Sequence, residues 1–286
     1  MALIQHKRRL NPTVTLMEVS APLIAKKAQP GQFIILRVDE HGERIPLTIS
    51  DYDRERGAVT IIFQKVGLTT ELLDRLEEGD DILDFVGPLG KATEMEGLKK
   101  VCVVGGGVGC AIAYPIAKEM HKLGIDVTFI AGFRSADIVI LKDELKAASD
   151  KLIICTDDGS YGEKGFTTKY LQDEIEANIK EGKPQFDRVI AIGPDIMMKF
   201  LADVTRPYGI KTIISLDPIM VDGTGMCGGC RVIVGGETKF ACVDGPDFDA
   251  HEVDFDSLLK RAAFYKEEQD EEAKHICRMT GGHRNG

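Results

Sequence analysis

The sequence predicts a small antiparallel β-barrel, then an α/β domain built on a parallel sheet, and finally a loop-rich module with clustered cysteines. Three observations predict this order. Short β-rich runs separated by turn residues come first, longer apolar runs separated by helical stretches follow, and glycine and cysteine crowd the segment after residue 217. We place the three predicted segments at residues 1–97, 98–216 and 217–286.

The amino-acid composition alone indicates a folded protein and argues against some functions. Of 286 residues, 43% are apolar and 29% are charged, which suits two packed domains and argues against a disordered chain. Lys and Arg number 36 against 46 Asp and Glu, giving a formal net charge of -10. This acidic balance argues against binding along the phosphate backbone of nucleic acid.

Neither a membrane span nor a secretion signal is expected. No apolar run approaches the roughly 20 residues that a bilayer crossing needs. Met1 to Leu10 also lacks the apolar centre of a secretion signal. We therefore expect a cytoplasmic protein that binds neither membranes nor nucleic acid. In that reducing compartment, the seven cysteines are not expected to form a disulfide framework.

The predicted barrel depends on five β-rich runs between Val14 and Val86. They are VTLMEV, QFIILRV, IPLTIS, AVTIIF and DILDFV, with turn residues between them. One helical piece, TTELLDRLEEG, interrupts the series. Leu72, Leu73 and Leu76 share one face of that helix, and Gly79 is its expected stop.

The pattern changes in the middle of the chain. Five apolar runs, KVCVVG, DVTFIAGF, KLIICTDD, RVIAIG and KTIISLD, lack alternation and are separated by helical stretches. This pattern indicates a parallel sheet buried on both faces. The tail from Phe255 to Arg278 is predicted to be a charged helix, which either docks on a partner or presents a solvated face.

A glycine-rich turn follows the first strand of that sheet and opens a helix. Backbone N–H groups and the helix dipole at such a place attract a pyrophosphate. Cys110 breaks the strict G-x-G-x-x-G spacing, so an ordinary tight connection is the alternative. The candidate nucleotide-binding residues in this turn are Gly105, Gly106, Gly107, Val108 and Gly109.

Two later strand ends add candidates at the same edge of the sheet. Asp157, Asp158 and Gly159 follow the third strand, and Gly193 and Pro194 follow the fourth. Ligands of open α/β sheets bind at the carboxyl ends of the strands. The two carboxylates can accept hydrogen bonds from a ribose or a nicotinamide, although solvated acids serve an Asp-Gly turn equally well.

The cysteine cluster predicts a metal centre. Asp222, Cys227, Cys230 and Cys242 stand in the pattern D-x4-C-x2-C-x11-C. Plant-type 2Fe-2S loops use C-x4-C-x2-C and a distant fourth cysteine, so Asp222 occupies the first ligand position here. The surrounding glycines let the backbone approach a cluster closely. Zinc is the alternative, since three thiolates and one carboxylate also suit a tetrahedral site.

In this order, the motifs RIPLT, VGLTT, GGGVG, TDDGS and GPDIM and the cysteine loop resemble the ferredoxin-NADP reductase superfamily. Within it, the sequence is similar to the branch that contains dihydroorotate dehydrogenase electron-transfer subunits. It is most similar to the small FAD and 2Fe-2S subunits of electron-bifurcating NADH-dependent ferredoxin:NADP oxidoreductases, also called sulfide dehydrogenases. The dihydroorotate branch uses four cysteines on its cluster, so Asp222 favours the bifurcating subunits.

The resemblance implies an FAD site in the barrel. Arg44 would meet the pyrophosphate as a fixed cation, and Thr48 would lie near the flavin ring. The VGLTT motif, at the start of the predicted helix, matches the family's second phosphate contact. Hydroxyl and N–H groups at the start of a helix are suited to binding a phosphate. Without the resemblance, RIPLT is an ordinary strand. The implied FAD residues are Arg44, Pro46, Leu47, Thr48, Gly67, Thr69 and Thr70.

The resemblance also implies an activity, that of an NAD(P)H-dependent flavoprotein oxidoreductase subunit. Hydride would pass between NAD(H) and FAD, and single electrons would pass to a 2Fe-2S cluster. Hydride transfer needs no side-chain acid or base, so no catalytic residue is assigned. The partner would be a larger flavoprotein iron–sulfur subunit in a heterodimer, with ferredoxin reached through that subunit.

Three alternatives remain open at this point. The chain can instead be a dihydroorotate dehydrogenase electron-transfer subunit, which differs in its partner rather than in its own chemistry. It can also be a non-catalytic redox sensor that uses the cluster loop to regulate a partner. NADP(H) is a possible nucleotide, because Arg134 and Ser135 in GFRS can hold a 2′-phosphate.

Overall fold

The computed structural model describes residues 1–262, and the first part of this range forms a nearly closed antiparallel barrel. Its strands are β1 (Ala2–Arg9), β2 (Val14–Ser20), β3 (Phe33–Arg37), β4 (Ile45–Asp53), β5 (Ala58–Gln64), β6 (Asp81–Ile82) and β7 (Asp84–Leu89), with the helices α1 (Pro22–Lys27) and α2 (Leu68–Arg75) between them. The seven strands lie in the order β6-β1-β2-β5-β4-β3-β7. Met17, Ile34, Ile61 and Phe63 are buried in the barrel interior.

The barrel differs from the sequence expectation in four places. β1 was not predicted, because only Ala2 and Ile4 of that strand are buried and its second half is charged. α1 was not predicted either. α2 ends at Arg75, well before Gly79, because the backbone of Leu76 turns extended. The run DILDFV is divided between β6 and β7.

The second sheet has seven strands and is parallel except at one edge. It contains β8 (Lys100–Gly106), β9 (Asp126–Phe133), β10 (Lys151–Thr156), β11 (Glu163–Lys164), β12 (Arg188–Ile192), β13 (Thr212–Ser215) and, after two intervening strands of a separate hairpin, β16 (Asp247–Asp249). The strand order is β11-β10-β9-β8-β12-β13-β16, with β16 antiparallel to β13. The order reverses between β8 and β12, which is where such sheets bind nucleotides.

Helices cover both faces of this sheet, as the apolar strands require. They are α3 (Gly109–Lys122), α4 (Lys142–Ala147), α5 (Thr167–Glu181) and α6 (Asp195–Thr205), with short 3-10 helices at Ala136–Ile138 and Arg206–Tyr208. The apolar side chains of α3 and α4 belong to one core, and those of α5 and α6 to another. Each core also takes residues from the barrel, such as Val14 in the first and Phe33 in the second.

The cysteine-rich segment is built onto the second sheet. It forms a hairpin of β14 (Arg231–Val234) and β15 (Glu237–Phe240), a short helix α7 (Ala241–Asp244), then β16 and the helix α8 (Phe255–Ala262). The remainder of the predicted tail helix, with Cys277, lies outside the described residues. The predicted order of barrel, parallel-sheet domain and cysteine-rich module is confirmed. No helix within residues 1–262 is both long and apolar enough to traverse a bilayer.

A buried polar network joins the three parts. Asp247 in β16 accepts a hydrogen bond from Thr93 Oγ1 at 2.6 Å, and Thr93 N–H donates to the Pro30 carbonyl in the barrel at 3.0 Å. Arg188 at the start of β12 donates to the Glu94 carbonyl at 2.7 Å. Thr93, which lies in the connector between barrel and sheet, therefore touches both the barrel and the cysteine-rich module.

The carboxyl group of Asp247 gives this network a pH dependence. Burial raises the pKa of Asp247 to about 6, more than the hydrogen bonds from Thr93 and Ser215 lower it. Among described residues, its buried Oδ1 atom has no hydrogen-bond partner. Because the folded state binds this proton more tightly than the unfolded chain does, the contribution of Asp247 to stability falls as pH rises through 6.

We expect Asp247→Asn to gain stability relative to the wild type as pH rises, because the amide cannot ionise. Between pH 5 and 8, the difference in free energy of unfolding should change by about 1 kcal/mol in favour of the variant. Urea unfolding at several pH values measures it. Glu237→Gln is the control, since Lys239 at the surface holds the pKa of Glu237 below its usual range. A difference that stays constant with pH would contradict the prediction.

Candidate functional site

The glycine turn after β8 is shaped by close packing at the point where the strand order reverses. A side chain on Gly109 would overlap the Ile192 carbonyl oxygen, and one on Gly106 would lie 2.5 Å from Met197 Sδ. One on Gly105 would lie 2.7 Å from the Cα of Cys110. The close approach of neighbouring backbone therefore requires glycine at positions 105 and 109, whatever the turn binds, whereas the contact at Gly106 is with the flexible end of the Met197 side chain.

Gly107 is different, because a side chain there would meet nothing within 4 Å. Its φ of 57° lies in the left-handed region, and its N–H donates to the Gly132 carbonyl at 2.8 Å. Val108 follows as the residue before α3. Open space in front of Gly107, at the start of a helix of 14 residues, is the part of the turn that a phosphate can approach.

The second strand end of the candidate site meets this turn directly. A side chain on Gly193 would lie 3.2 Å from the Cα of Gly106, so the turns after β8 and β12 touch. Pro194 is exposed and precedes α6. The structure thus brings the predicted GGGVG and GPDIM motifs together.

The loop with Asp157, Asp158 and Gly159 lies at the same edge but on β10, two strands away from β8. Asp158 accepts hydrogen bonds from the Ser160 N–H at 2.9 Å and from Ser160 Oγ at 2.6 Å. These bonds hold the pKa of Asp158 below its usual range. Both carboxylates are exposed, and Asp158 is occupied in shaping its own turn.

The predicted barrel residues lie on or next to β4, a strand paired on both sides. Pro46, Leu47 and Thr48 are half-buried and pair with β3. Arg44, just before the strand, donates from Nε to the Val221 carbonyl at 2.8 Å, and its Nη1 atom lies 3.3 Å from Asp84. The structure thus places Arg44 against the cysteine-rich loop, a contact that the sequence does not reveal.

Hydrogen bonds to side chains of α2 itself fix the backbone at the start of this helix. Thr70 Oγ1 accepts the N–H groups of Val66 at 3.0 Å and Gly67 at 3.1 Å, so this hydroxyl closes the turn. Thr69 Oγ1 donates to Glu43 at 3.4 Å. A side chain at Gly67 would meet nothing within 4 Å, which leaves the backbone there open to approach.

Ser50 in β4 is a polar residue that the motif comparison missed. It is 1% exposed, and within residues 1–262 its hydroxyl has no hydrogen-bond partner. The register against β5 shifts between Ile49 and Asp51, so Ser50 is the extra residue of a β-bulge. Bulges re-aim side chains next to binding sites. The sequence signal was available, since Ser50 ends the quoted IPLTIS run.

Asp195, inside the quoted GPDIM motif, was likewise not singled out. Burial, followed by the nearby Asp217 carboxyl, raises the pKa of Asp195 to about 6. Asp217 comes two residues after β13, the neighbour of β12. Two carboxyl groups with raised pKa values therefore stand at adjacent strand ends beside the glycine turns.

The four predicted metal ligands are gathered in one region. Cys230 Sγ and Cys242 Sγ are buried and 3.2 Å apart, a separation too long for a disulfide of about 2.05 Å. Asp222 Oδ2 accepts the N–H of Cys227 at 2.7 Å, and the thiol of Cys227 is exposed. Within residues 1–262, no three His, Cys, Asp or Glu side chains are arranged around a single metal ion.

The chemistry of this donor set suits a cluster with several positive centres. The N–H groups of Thr224 and Cys227 hold the pKa of Asp222 below its usual range, so it is an ionised oxygen donor. Burial, followed by the nearby Cys230, raises the pKa of the Cys242 thiol to about 12. Backbone N–H groups of Gly229 and Cys242 lie 3.5 Å from the sulfur atoms of Cys227 and Cys230. Such N–H groups stabilise sulfur ligands, so the residues fit an iron–sulfur group.

Comparison with known proteins begins with this loop. Residues 217–254 match the model of the iron-sulfur cluster binding domain of dihydroorotate dehydrogenase B. The matched range includes Asp222 and the three clustered cysteines. The match favours an iron–sulfur cluster over the zinc alternative.

A relative from Thermotoga maritima extends the likeness to nearly the whole chain. It is described as a homolog of the electron transfer subunit of dihydroorotate dehydrogenase B (NAD(+)). It is 48% identical over 263 residues, which cover 92% of this chain and 91% of the relative. The chain belongs to the dihydroorotate dehydrogenase B electron-transfer subunit family. A Clostridium beijerinckii protein, described as uncharacterized, is 51% identical over 273 residues, 93% of this chain and 91% of its own length.

One solved structure resembles this chain over nearly the whole length of both. It is described as giving insights into flavin-based electron bifurcation via the NADH-dependent reduced ferredoxin-NADP oxidoreductase structure. It shares 45% identity with a TM-score of 0.89, covering 96% of this chain and 97% of that chain. Phthalate dioxygenase reductase, at 17% identity and a TM-score of 0.59 over 82% of this chain and 85% of that chain, shares the fold alone.

The packing of the glycine turn predicts unequal effects of two matched substitutions. Gly109→Ala should lower the free energy of unfolding by about 3 kcal/mol, because the added methyl group meets rigid backbone of β12. Gly107→Ala should cost only about 1 kcal/mol, since the methyl group has space and only the left-handed backbone is strained. Urea unfolding of both variants measures the difference. Equal losses, or a larger loss at Gly107, would show that packing does not define this turn.

Proposed function

We propose that this chain is the small FAD and 2Fe-2S subunit of an electron-bifurcating NADH-dependent ferredoxin:NADP oxidoreductase. The observation that carries the proposal is the 45% identity, over 96% of this chain and 97% of the other, with the structure described for that activity. The family model at residues 217–254 supports the cluster independently. The chain is thus an NAD(H)-dependent flavoprotein oxidoreductase subunit rather than a non-catalytic redox sensor.

Three sites follow from this proposal, one in each part of the chain. FAD lies against β4 and the start of α2. NAD(H) lies at the reversal point of the second sheet, over the open backbone of Gly107. The cluster takes Asp222 and the three cysteines of the loop as ligands. The proposed sites are Arg44, Pro46, Leu47, Thr48, Gly67, Thr69 and Thr70 for FAD, Gly105 to Gly109, Asp157, Asp158, Gly159, Gly193 and Pro194 for the nucleotide, and Asp222, Cys227, Cys230 and Cys242 for the metal.

The side chains of this chain bind and orient rather than react. When bound, FAD exchanges a hydride with the nicotinamide and single electrons with the cluster. The turns after β8 and β12 fix the nucleotide against the barrel, and Thr70 holds the start of α2 in shape for a phosphate. No side chain is assigned as a catalytic acid or base.

The loop after β9 supports a preference for NAD(H) over NADP(H). Ser135 Oγ donates to Asp137 Oδ1 at 2.5 Å, so this hydroxyl is already engaged beside a carboxylate. A carboxylate there repels a 2′-phosphate and suits a ribose hydroxyl. Arg134, which is exposed, is the one feature that favours NADP(H).

A second candidate is an electron-transfer subunit of a dihydroorotate dehydrogenase. The relatives with that name favour it; one from Fusobacterium nucleatum is 34% identical over 248 residues, 84% of this chain and 92% of its own length. The two candidates differ in the partner, which is a larger flavoprotein iron–sulfur subunit that passes electrons to ferredoxin, or a dihydroorotate dehydrogenase catalytic subunit. In either case we place the enzyme in the cytoplasm, and identifying the subunit that copurifies from the native host distinguishes the two candidates.

Reduction by NADH tests the proposed function. Protein purified without air should contain FAD, iron and acid-labile sulfide, and NADH should bleach the flavin absorption and then produce a reduced 2Fe-2S EPR signal. Asp222→Ala should keep flavin reduction but lose most of that signal, because one ligand is removed while the barrel and the glycine turn are unchanged. Asp222→Cys, the matched control, should restore a cluster with four sulfur ligands.

Two results would contradict the proposal. Finding zinc in place of iron, with no acid-labile sulfide, would rule out the iron–sulfur cluster. A parental EPR signal and midpoint potential in both Asp222 variants would show that Asp222 is not a cluster ligand.

Substitution of the bulge residue Ser50 tests protein stability and FAD affinity separately. Ser50→Ala should leave FAD affinity unchanged, because the protein itself shields the Ser50 hydroxyl from solvent and so places it out of reach of a bound cofactor. The FAD-free variant should be at least as stable as the wild type, since a buried unpaired hydroxyl is removed. Calorimetric titration with FAD and urea unfolding measure the two effects.

Ser149→Ala is the control for this substitution. Its buried hydroxyl already donates to the Leu145 carbonyl at 2.8 Å. This variant should therefore lose stability and keep its FAD affinity. A loss of stability in Ser50→Ala would contradict the prediction.

A further inference from the structure

An arginine of the barrel binds the loop that carries Asp222. Arg44 Nε donates to the Val221 carbonyl at 2.8 Å, and Val221 immediately precedes Asp222. Asp222 in turn accepts the N–H groups of Thr224 and Cys227, each at 2.7 Å. A continuous chain of contacts thus leads from the guanidinium to the backbone of the first cysteine in the loop.

Arg44 is itself fixed from the other side. Its Nη1 atom lies 3.3 Å from Asp84 Oδ2, an oxygen that also accepts a hydrogen bond from Arg37 Nε at 2.8 Å. The Arg44 side chain is 31% exposed, so it is partly withdrawn from solvent. Asp84 therefore orients Arg44 toward the loop. Arg37 shares the same carboxylate but, within residues 1–262, makes no hydrogen bond to the loop.

Close packing holds the same end of the loop against the barrel. Gly223 has a φ of 76°, and a side chain there would lie 2.7 Å from Leu89 Cδ1 and 2.8 Å from Ile35 Cδ1. Ile35 belongs to β3 and Leu89 to β7. The residues on both sides of Asp222 therefore contact the barrel, Val221 through its carbonyl and Gly223 through close packing.

We propose that Arg44 is a positioning residue for the iron–sulfur site. It holds the Val221 carbonyl, and with it the adjacent Asp222, in the place from which Asp222 ligates the cluster. It also keeps a fixed positive charge beside the cluster loop, which favours the reduced cluster. The inference rests on the proposed function of the loop and deepens it.

This role is compatible with an FAD contact by the same side chain. Among described residues, Arg44 uses Nε and Nη1, and the N–H groups on Nη2 are not engaged. A guanidinium carries five N–H donors in a fixed plane, so it can hold a phosphate and a carbonyl together. Arg44 would then touch the flavin site and the cluster loop at once.

The test compares two arginines that share Asp84. In Arg44→Met, the midpoint potential of the cluster should shift to more negative values, because a nearby cation is lost. Its EPR spectrum should change, and iron loss to a chelator should be about tenfold faster, as for loss of outer contacts to other metal ligands. Arg37→Met should leave all three at wild-type values, since Arg37 does not hold Val221.

Arg44→Lys separates charge from geometry. It should keep the wild-type potential because the cation remains, yet lose iron faster because the Nε–H donor is gone. Wild-type protein depleted of FAD is the baseline for any variant that loses flavin. Parental spectrum, potential and iron loss in Arg44→Met, or the same changes in Arg37→Met, would overturn the proposal. A wild-type protein without iron and acid-labile sulfide would instead overturn the proposed function itself.

Discussion

The hydrogen bond between Thr93 and Asp247 is the contact on which the arrangement of the three parts depends. Thr93 lies where the chain leaves the barrel, and Asp247 lies where the cysteine-rich segment returns to the second sheet. The backbone of Thr93 also binds Pro30, and Lys91 N–H donates to the Gly245 carbonyl at 2.7 Å. Since the proposed flavin, nucleotide and cluster sites lie in different parts, this short connector helps to set their separations, together with the contact from Arg44 to Val221.

The parallel sheet is the part of the fold that the sequence predicts best. β8, β9 and β12 are buried on both faces, so their sequences are continuous apolar runs. β10 and β13 are only partly buried but carry similar apolar runs. β1 escapes prediction because most of its side chains are charged or exposed, and β16 because three residues carry no periodicity. Helix ends such as Arg75 depend on local backbone geometry that side-chain spacing does not encode.

The candidate sites were predictable as motifs but not as contacts. GGGVG and GPDIM identify the reversal point, yet only the packing separates Gly109, where a side chain would meet the backbone of β12, from Gly107, where a side chain would meet open space. The contact from Arg44 to Val221 joins residues 177 positions apart, and no local pattern reports it. The bulge at Ser50 likewise depends on pairing between β4 and β5.

The return of the chain through β16 has a consequence for the history of such proteins. β16 covers the outer edge of β13, so removing everything after residue 216 would leave a bare strand edge in the second sheet, a surface prone to pairing with other chains. A descendant that no longer needed a metal centre could discard its ligands one by one, but it could not easily discard the segment. Relatives without a cluster should therefore retain an edge-covering strand with other residues in the loop.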